Sequence, residues 1–115
     1  MNLSEIARAL ELEYLTPALV LDDNRGAGQG YVSDLLSDVL GHAPAGSLLI
    51  TLQVHMNVVA VAAHAELAGV IFAAGRRPEQ PVMDRAVEEG LPLWSSQQSA
   101  FDLVGRLYDL GLKGG

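Results

Sequence analysis

The chain has 115 residues, 50% of them hydrophobic and 18% charged, a balance that is typical of one folded domain and excludes a disordered chain. Its formal net charge of −7 repels a phosphate backbone, so nucleic acid is not an expected partner, and its lack of cysteine excludes disulfides and thiolate chemistry. The N-terminus has no signal-peptide pattern and the longest apolar run, Val58 to Ala63, is far shorter than the ~20 residues that cross a bilayer, so we expect a cytoplasmic protein with no membrane partner.

The first part of the chain predicts one helix and one irregular strand. Apolar residues from Leu3 to Leu10 recur at helical spacing, and Asn2 followed by Glu5 fits a capping box at the start of that helix. The segment from Tyr14 to Leu21 is compatible with a strand, but Pro17 removes a hydrogen-bond donor. We therefore expect one broken or edge strand there.

The middle of the chain predicts a loop, two helices and a strand. The glycine-rich stretch around Gly28 predicts a flexible loop, and Ser33 to Leu40 predicts a helix capped by Ser33 and ended by Gly41. Leu48 to Val54 predicts a strand. Asn57 is placed to cap a helix over Val58 to Leu67, and because this segment is apolar on almost every side we expect it in a core or an interface.

The last part of the chain alternates strands with helices. The continuous apolar run from Gly69 to Ala74 is typical of a strand covered on both faces. The elements expected after it are a helix over Val82 to Glu89, a strand over Leu91 to Trp94 and a helix over Ser99 to Leu110. Such alternation predicts an α/β fold, a three-layer sandwich with a mostly parallel sheet of four to five strands flanked by helices.

Ligands of parallel sheets bind beyond the carboxyl ends of the strands, so the loops that follow strands are the candidate site. Four loops are assigned to this position, and they contain Asp22 to Arg25, Gln53 to Asn57, Gly75 to Arg77, and Ser95 to Gln97. The seven candidate ligand-binding residues are Asp34, Asp38, Gln53, His55, Asn57, Arg76 and Arg77.

Each candidate also has a simpler explanation. Asp34 and Asp38 are four apart and would share a helix face, where they could hold hydrated magnesium or a ribose, but a favourable helix dipole and solvent exposure also account for them. His55 is either a ligand donor near the crevice or a capping or structural residue. Arg76 and Arg77 suit a phosphate or carboxylate, or one of the two is simply solvated.

The sequence lacks the motifs of common catalytic sites. There is no Gly-x-x-x-x-Gly-Lys-Ser/Thr phosphate loop and no Gly-x-Ser-x-Gly elbow, and the three histidines lie in unrelated places. We therefore expect no catalytic residue, no metal and no cofactor. An enzyme of unfamiliar design is the hypothesis that we rank last.

Two segments resemble the DRTGG-domain family, Tyr31 to Leu40 (YVSDLLSDVL) and Ile50 to Ala62 (ITLQVHMNVVAVA). The resemblance extends over almost the whole chain and is strongest to small stand-alone members, which are similar to the N-terminal domain of HPr kinase/phosphorylase. The same module occurs beside CBS domains in a regulated pyrophosphatase and in some phosphotransacetylases. The resemblance implies an α/β sandwich, a homodimer, and a regulatory or ligand-sensing role without a defined reaction.

Two functions follow as hypotheses. The first is a single DRTGG-like domain over residues 1–115 that forms a homodimer and binds a small anionic metabolite or nucleotide. The second is a protein-interaction module that docks on a larger regulatory partner, namely an enzyme or a kinase, without binding a small molecule. The apolar segment from Val58 to Leu67 motivates the second hypothesis because such a surface needs a cover.

Overall fold

A computed structural model describes residues 1–114 and contains five strands and five helices in that range. The strands are β1 (Glu13–Tyr14), β2 (Gln29–Val32), β3 (Ser47–Thr51), β4 (Gly69–Phe72) and β5 (Leu93–Ser95). The helices are α1 (Leu3–Ala9), α2 (Leu36–His42), α3 (Asn57–His64), α4 (Gln80–Glu88) and α5 (Ala100–Leu110). Over the described range, none of these helices has the length and apolar character needed to cross a membrane.

The strands form one sheet in the order β1-β5-β4-β3-β2. Strands β2 to β5 run parallel, and β1 pairs antiparallel with β5, with Glu13 opposite Ser95. The expected α/β fold with a mostly parallel sheet is therefore confirmed. Because β2 to β5 follow one another in space as in sequence, right-handed crossovers place their connecting helices on one face of the sheet.

The two faces of the sheet are covered by different helices. Residues of α2, α3 and α4 pack with Leu49, Val70 and Phe72 of the sheet in one core cluster. Residues of α1 and α5 pack with Ile71 and Trp94 in the other. Successive residues of β4 thus enter opposite cores, as expected for a strand covered on both faces, and this arrangement explains the continuous apolar run in the sequence.

The apolar helix in the middle of the chain belongs to the core of this molecule. Val58, Val59 and Ala62 of α3 are fully buried, whereas Ala60 and His64 face outward. Most of the apolar character predicted to need a cover is therefore accounted for by packing within the chain.

The first strand is at the sheet edge, as expected, but is much shorter than Tyr14 to Leu21. The two residues after Tyr14 still bond to β5: the N–H of Leu15 donates to the carbonyl of Leu93, and Oγ1 of Thr16 accepts from the N–H of Leu93. Pro17 follows directly, and its missing N–H prevents the ladder from continuing.

The expected glycine-rich loop contains a strand that the sequence does not reveal. Gly30 lies in β2, and its N–H donates to the carbonyl of Lys113. A Cβ atom at this position would lie 3.5 Å from the Leu112 side chain, an ordinary van der Waals contact, so packing does not require glycine there. At the sheet edge β2 is only partly buried and lacks an apolar run.

Two expected N-terminal caps and one expected helix end are wrong. Oγ of Ser33 accepts from the N–H of Leu35 in a local turn, α2 begins at Leu36, and Gly41 lies inside the helix rather than after it. Asn57 is the first residue of α3 and does not cap it. Polar side chains next to a helix often bond to a nearby turn instead of the helix end, and sequence alone does not separate the two cases.

Side chains cap the first residues of α1, as expected for Asn2, and of α5, where Ser99 lies one residue before the helix. Oδ1 of Asn2 accepts from the N–H of Glu5, and Oγ of Ser99 accepts from the N–H of Asp102, so both side chains cap their helices. Gly111 follows α5 with φ of 108°, a conformation that glycine adopts without strain.

Candidate functional site

Residues from several loops meet at the carboxyl edge of the parallel strands. Asp34 follows β2, the segment from Gln53 to Met56 follows β3, and Arg76 and Arg77 follow β4. Because β1 is antiparallel, its first residue, Glu13, also lies at this edge.

One of the four loops expected at this edge lies elsewhere. The segment from Asp22 to Arg25 precedes β2 and lies at the opposite edge, where the Arg25 guanidinium donates to the carbonyl of Gly90, before β5. The reason is that β1 runs antiparallel to the other strands, so the loop between the end of β1 and the start of β2 lies at the edge where the parallel strands begin.

A cleft of about 500 Å³ lies between the loop after β3 and the start of α4. It brings together Gln53, His55 and Arg77, three of the seven candidate residues. The other residues that line it are Val54, Met56, Glu79, Pro81 and Val82.

A chain of local hydrogen bonds orients the loop after β3. Oγ1 of Thr51 accepts from the N–H of Gln53, and this turn ends β3 before the predicted end of the strand at Val54. Oε1 of Gln53 accepts from the N–H of His55 at 3.2 Å, and Nδ1 of His55 accepts from the N–H of Asn57 at 3.1 Å. Nδ1 of His55 is therefore occupied, and Oε1 of Gln53 already accepts one hydrogen bond.

The atoms that remain on these two side chains are donors. The Gln53 amide keeps its NH2 group, and the neutral imidazole of His55 carries its hydrogen on Nε2 because Nδ1 accepts. His55 thus accepts from the N–H of Asn57, as a capping residue does, and also lines the cleft. An acceptor-rich ligand is the natural complement of such a loop.

Arg77, a positively charged residue that lines the cleft, forms an ion pair. The Arg77 guanidinium contacts the Glu13 carboxylate, with side chains that are 47% and 55% exposed. An exposed pair of this kind contributes roughly 0–1 kcal/mol, so an anion can compete for the guanidinium at low cost. Sequence reasoning misses two acidic residues of the candidate site, Glu13 and Glu79. Glu13 is missed because a two-residue strand is too short to show an alternating pattern.

Asp34 has a structural role at the edge of the site. Its Oδ1 accepts from Oγ1 of Thr51 at 3.0 Å and from the N–H of Leu52 at 2.7 Å. It therefore ties the loop after β2 to the end of β3. The expected helix face shared with Asp38 is wrong, because α2 begins only at Leu36.

Asp38 is bound to side chains of its own chain. Its Oδ2 accepts from the Tyr31 hydroxyl at 2.8 Å, and its Oδ1 lies 3.2 Å from Nδ1 of His42. The bond from Tyr31, assisted by Ser33, holds the pKa of Asp38 below its usual range. The same bond raises the pKa of the Tyr31 hydroxyl. Neither Asp38 nor its partners Tyr31 and His42 line the cleft.

Neither Asn57 nor Arg76 lines the cleft. Asn57 begins α3, and Arg76 contributes backbone contacts, with its carbonyl accepting from Oγ of Ser95 at 2.8 Å. The exposed Arg76 side chain matches the interpretation that one of the two arginines is solvated. Among residues 1–114, no group of three or more His, Asp or Glu side chains is arranged to hold a metal ion.

Comparison with known proteins gives a likeness at the level of the fold. No family model matches the sequence, and no curated protein matches it. The chain is similar to a solved structure of the CBS and DRTGG domains from the regulatory region of a Clostridium perfringens pyrophosphatase, complexed with its activator diadenosine tetraphosphate. The TM-score is 0.68 at 12% identity, and the match covers 90% of this chain and 44% of that chain.

The fold is thus shared with the regulatory region of an enzyme. This chain spans less than half of the neighbour, and at 12% identity the likeness concerns the fold alone. At that level it supports the expected DRTGG-like fold.

Proposed function

We propose that the chain is a non-catalytic regulatory domain that binds a small anionic metabolite or nucleotide in the cleft at the carboxyl edge. The proposal includes one DRTGG-like domain over residues 1–115, a homodimer, and a cytoplasmic location. The observation that carries it is that Gln53, His55 and Arg77, which offer two neutral donors and a positive charge, line one cleft.

The chemistry of the cleft favours an anion with an organic part. A guanidinium and two neutral donors match the oxygens of a phosphate or carboxylate, and Val54, Met56 and Val82 offer apolar contact to a base or a carbon chain. The volume of about 500 Å³ lies within the roughly 300–1,000 Å³ of small-molecule sites. Glu79 at the same cleft would repel a ligand of high negative charge unless a cation accompanied it.

The comparison supports the regulatory half of the proposal. The similar structure belongs to a regulatory region and contains a nucleotide activator. The cleft residues of this chain supply an independent reason for the same ligand class, because they offer donors and a positive charge.

The alternative function is a module that docks on a larger enzyme or kinase without a small molecule. Its motivating segment, the apolar helix α3, buries Val58, Val59 and Ala62 in the core of this chain. The ligand-binding proposal therefore has the stronger structural support.

Calorimetric titration tests the proposal with ATP, diadenosine tetraphosphate and tripolyphosphate as ligands. We expect at least one of them to bind, with an affinity that falls about tenfold in Arg77→Gln because a charge-assisted bond is lost. Arg76→Gln is the matched control, since it removes an equal charge outside the cleft, and its affinity should stay within about twofold of the original. Silence across all three ligands with folded protein, or equal losses in both variants, would refute the proposal.

A further inference from the structure

The outer edge of β2 has free backbone groups. Backbone groups of successive strand residues point to opposite sides, here toward β3 or away from it. The N–H of Ser33 donates to the carbonyl of Ile50 in β3, whereas the N–H of Gly30 donates the other way, to the carbonyl of Lys113. Val32 lies two residues after Gly30, so its N–H and C=O also point away from β3. Within residues 1–114, neither of these groups of Val32 has a hydrogen-bond partner outside the sheet.

The other edge of the sheet is protected against an added strand, and this edge is not. Strand β1 has two residues, contains the charged Glu13 and is soon followed by Pro17, and these features prevent further strands from pairing. Strand β2 has four residues, none of them charged or proline, and it ends in Val32, which is 54% exposed. The β2 edge therefore keeps the backbone groups and the side chain that favour strand addition.

A broad groove lies beside the same edge. It has a volume of about 980 Å³ and is lined by Val32 and by the outer face of α5. Val32 lies opposite Ile50, whose side chain belongs to the core covered by α1 and α5, so the side chain of Val32 is also on the α5 face of the sheet. Phe101 is 88% exposed and Tyr108 is 56% exposed along the groove. A strand added to β2 would direct every second side chain to this apolar surface.

The charge of the groove favours a basic occupant. Asp102 and Asp109 line it two turns apart on α5, and neither carboxylate has a hydrogen bond or an ion pair with residues 1–114. Arg106 also lines the groove, but its guanidinium donates to a carbonyl of α1. Nζ of Lys113 is likewise occupied, since it donates to the carbonyl of Tyr108. Two free carboxylates, on a chain with a net charge of −7, attract a positively charged segment.

We propose that β2 and α5 form a docking site for an extended, basic segment of another protein, which adds to the sheet as a strand next to β2. Val32 bonds to the backbone of the segment, and apolar side chains of the segment contact Phe101 and Tyr108. The site is separate from the candidate ligand cleft, which lies by α3 and α4 on the other face of the sheet.

The spacing of the two carboxylates indicates where the basic residues of the segment lie. Seven helix residues, from Asp102 to Asp109, rise ~10.5 Å. Side chains on one face of a strand are two or four residues apart, and four residues span ~13 Å. Two lysines four residues apart, with an apolar residue midway between them, therefore reach both carboxylates from one face of the segment.

Fluorescence anisotropy tests the site with the fluorescein-labelled peptide VTKTITKTV, whose lysines and isoleucine fall on one side of an extended strand. We expect saturable binding, and at least about tenfold weaker binding of VTETITETV, because its glutamates face the aspartates of α5. A basic peptide that does not bind, or an acidic peptide that binds equally well, would overturn the proposal.

Val32→Pro tests the backbone contact. It removes an N–H that the sheet does not use, a change that edge strands tolerate, and it should weaken binding of VTKTITKTV about fivefold because one hydrogen bond is lost. Val32→Thr is the matched control, since it keeps both the N–H and a β-branched side chain, and its affinity should stay within about twofold of the original. Equal affinities of the two variants would overturn the strand pairing.

Surface variants of α5 keep the test independent of the folding of Val32→Pro. Asp102→Asn and Asp109→Asn should each weaken binding of VTKTITKTV about two- to fivefold, as expected for an exposed ion pair. Asp84→Asn is the control, because Asp84 is exposed on α4 outside the groove and its variant removes an equal charge. Losses on α5 that are no larger than the loss in Asp84→Asn would overturn the proposal.

Two measurements distinguish other occupants of the groove. A helical segment would match the two aspartates with lysines seven residues apart, so tighter binding of an alanine-based helical peptide with that spacing would overturn the extended occupant. Self-association in sedimentation velocity that Val32→Pro abolishes would assign the edge to a second copy of the chain instead. We expect neither result, and we expect Val32→Pro to bind ligands in the cleft as the unaltered chain does.

Discussion

The replacement of Gly105 by alanine should raise the free energy of unfolding. The Cβ atom enters open space, so no contact is lost and no neighbour has to move. Alanine is better than glycine in an exposed helix interior by about 0.5–1 kcal/mol. For a chain of this size the free energy of unfolding should rise by that amount, and the melting temperature by roughly 2–4 °C.

Urea unfolding followed by circular dichroism gives the free energy of unfolding, and the dependence on urea should be the same with and without Gly105→Ala. A Gly105→Ala variant that is destabilised would refute the reasoning.

Three further predictions concern the core, a surface group and the cleft. Gly69→Ala should lower the free energy of unfolding by about 1–3 kcal/mol, since its Cβ would lie 2.8 Å from a ring carbon of the buried tryptophan, and urea unfolding that showed no loss would contradict this packing. The hydrogen bond from Tyr31 holds the pKa of Asp38 low, so the contribution of Asp38 to the free energy of unfolding is complete above about pH 4 and disappears as the pH falls through the lowered pKa. Unfolding of Asp38→Asn in an acid pH series should lack this pH-dependent contribution. Parallel pH profiles for the variant and the unaltered chain would contradict the prediction. Glu13→Gln should raise affinity for tripolyphosphate several-fold by releasing Arg77, whereas an unchanged affinity in calorimetry would show that the ion pair does not compete with the ligand.

The parts of the fold that could be predicted are those with a strong periodic signal. The buried strand at Gly69 and the amphipathic helix after Ser99 are read correctly because burial on two faces or on one face leaves a distinct pattern. The strand at Gln29–Val32 is missed because an edge strand is only partly buried and Gly30 interrupts it. The turn at Thr51 shortens another strand through a side-chain bond that periodicity does not reveal.

The candidate site is predicted in part for a related reason. The rule that ligands gather after parallel strands points to Gln53, His55 and Arg77, and the structure brings these three to one cleft. It fails for Asp38, whose carboxylate bonds to Tyr31, because such pairing depends on how α2 is positioned against β2. It also misses Glu13, since the direction of a two-residue strand is decided by tertiary contacts.

The measurement that tests the central claim most directly is a nitrogen-15 correlation spectrum of the labelled protein, titrated with ATP, diadenosine tetraphosphate and tripolyphosphate in turn. A ligand that binds at the proposed cleft should shift the amide signals of residues 53–56 and 77–82 first and most, and the shifts should be strongly reduced in Arg77→Gln. A spectrum that does not change with any of the three, or changes that cluster away from these two loops, would contradict the proposed function.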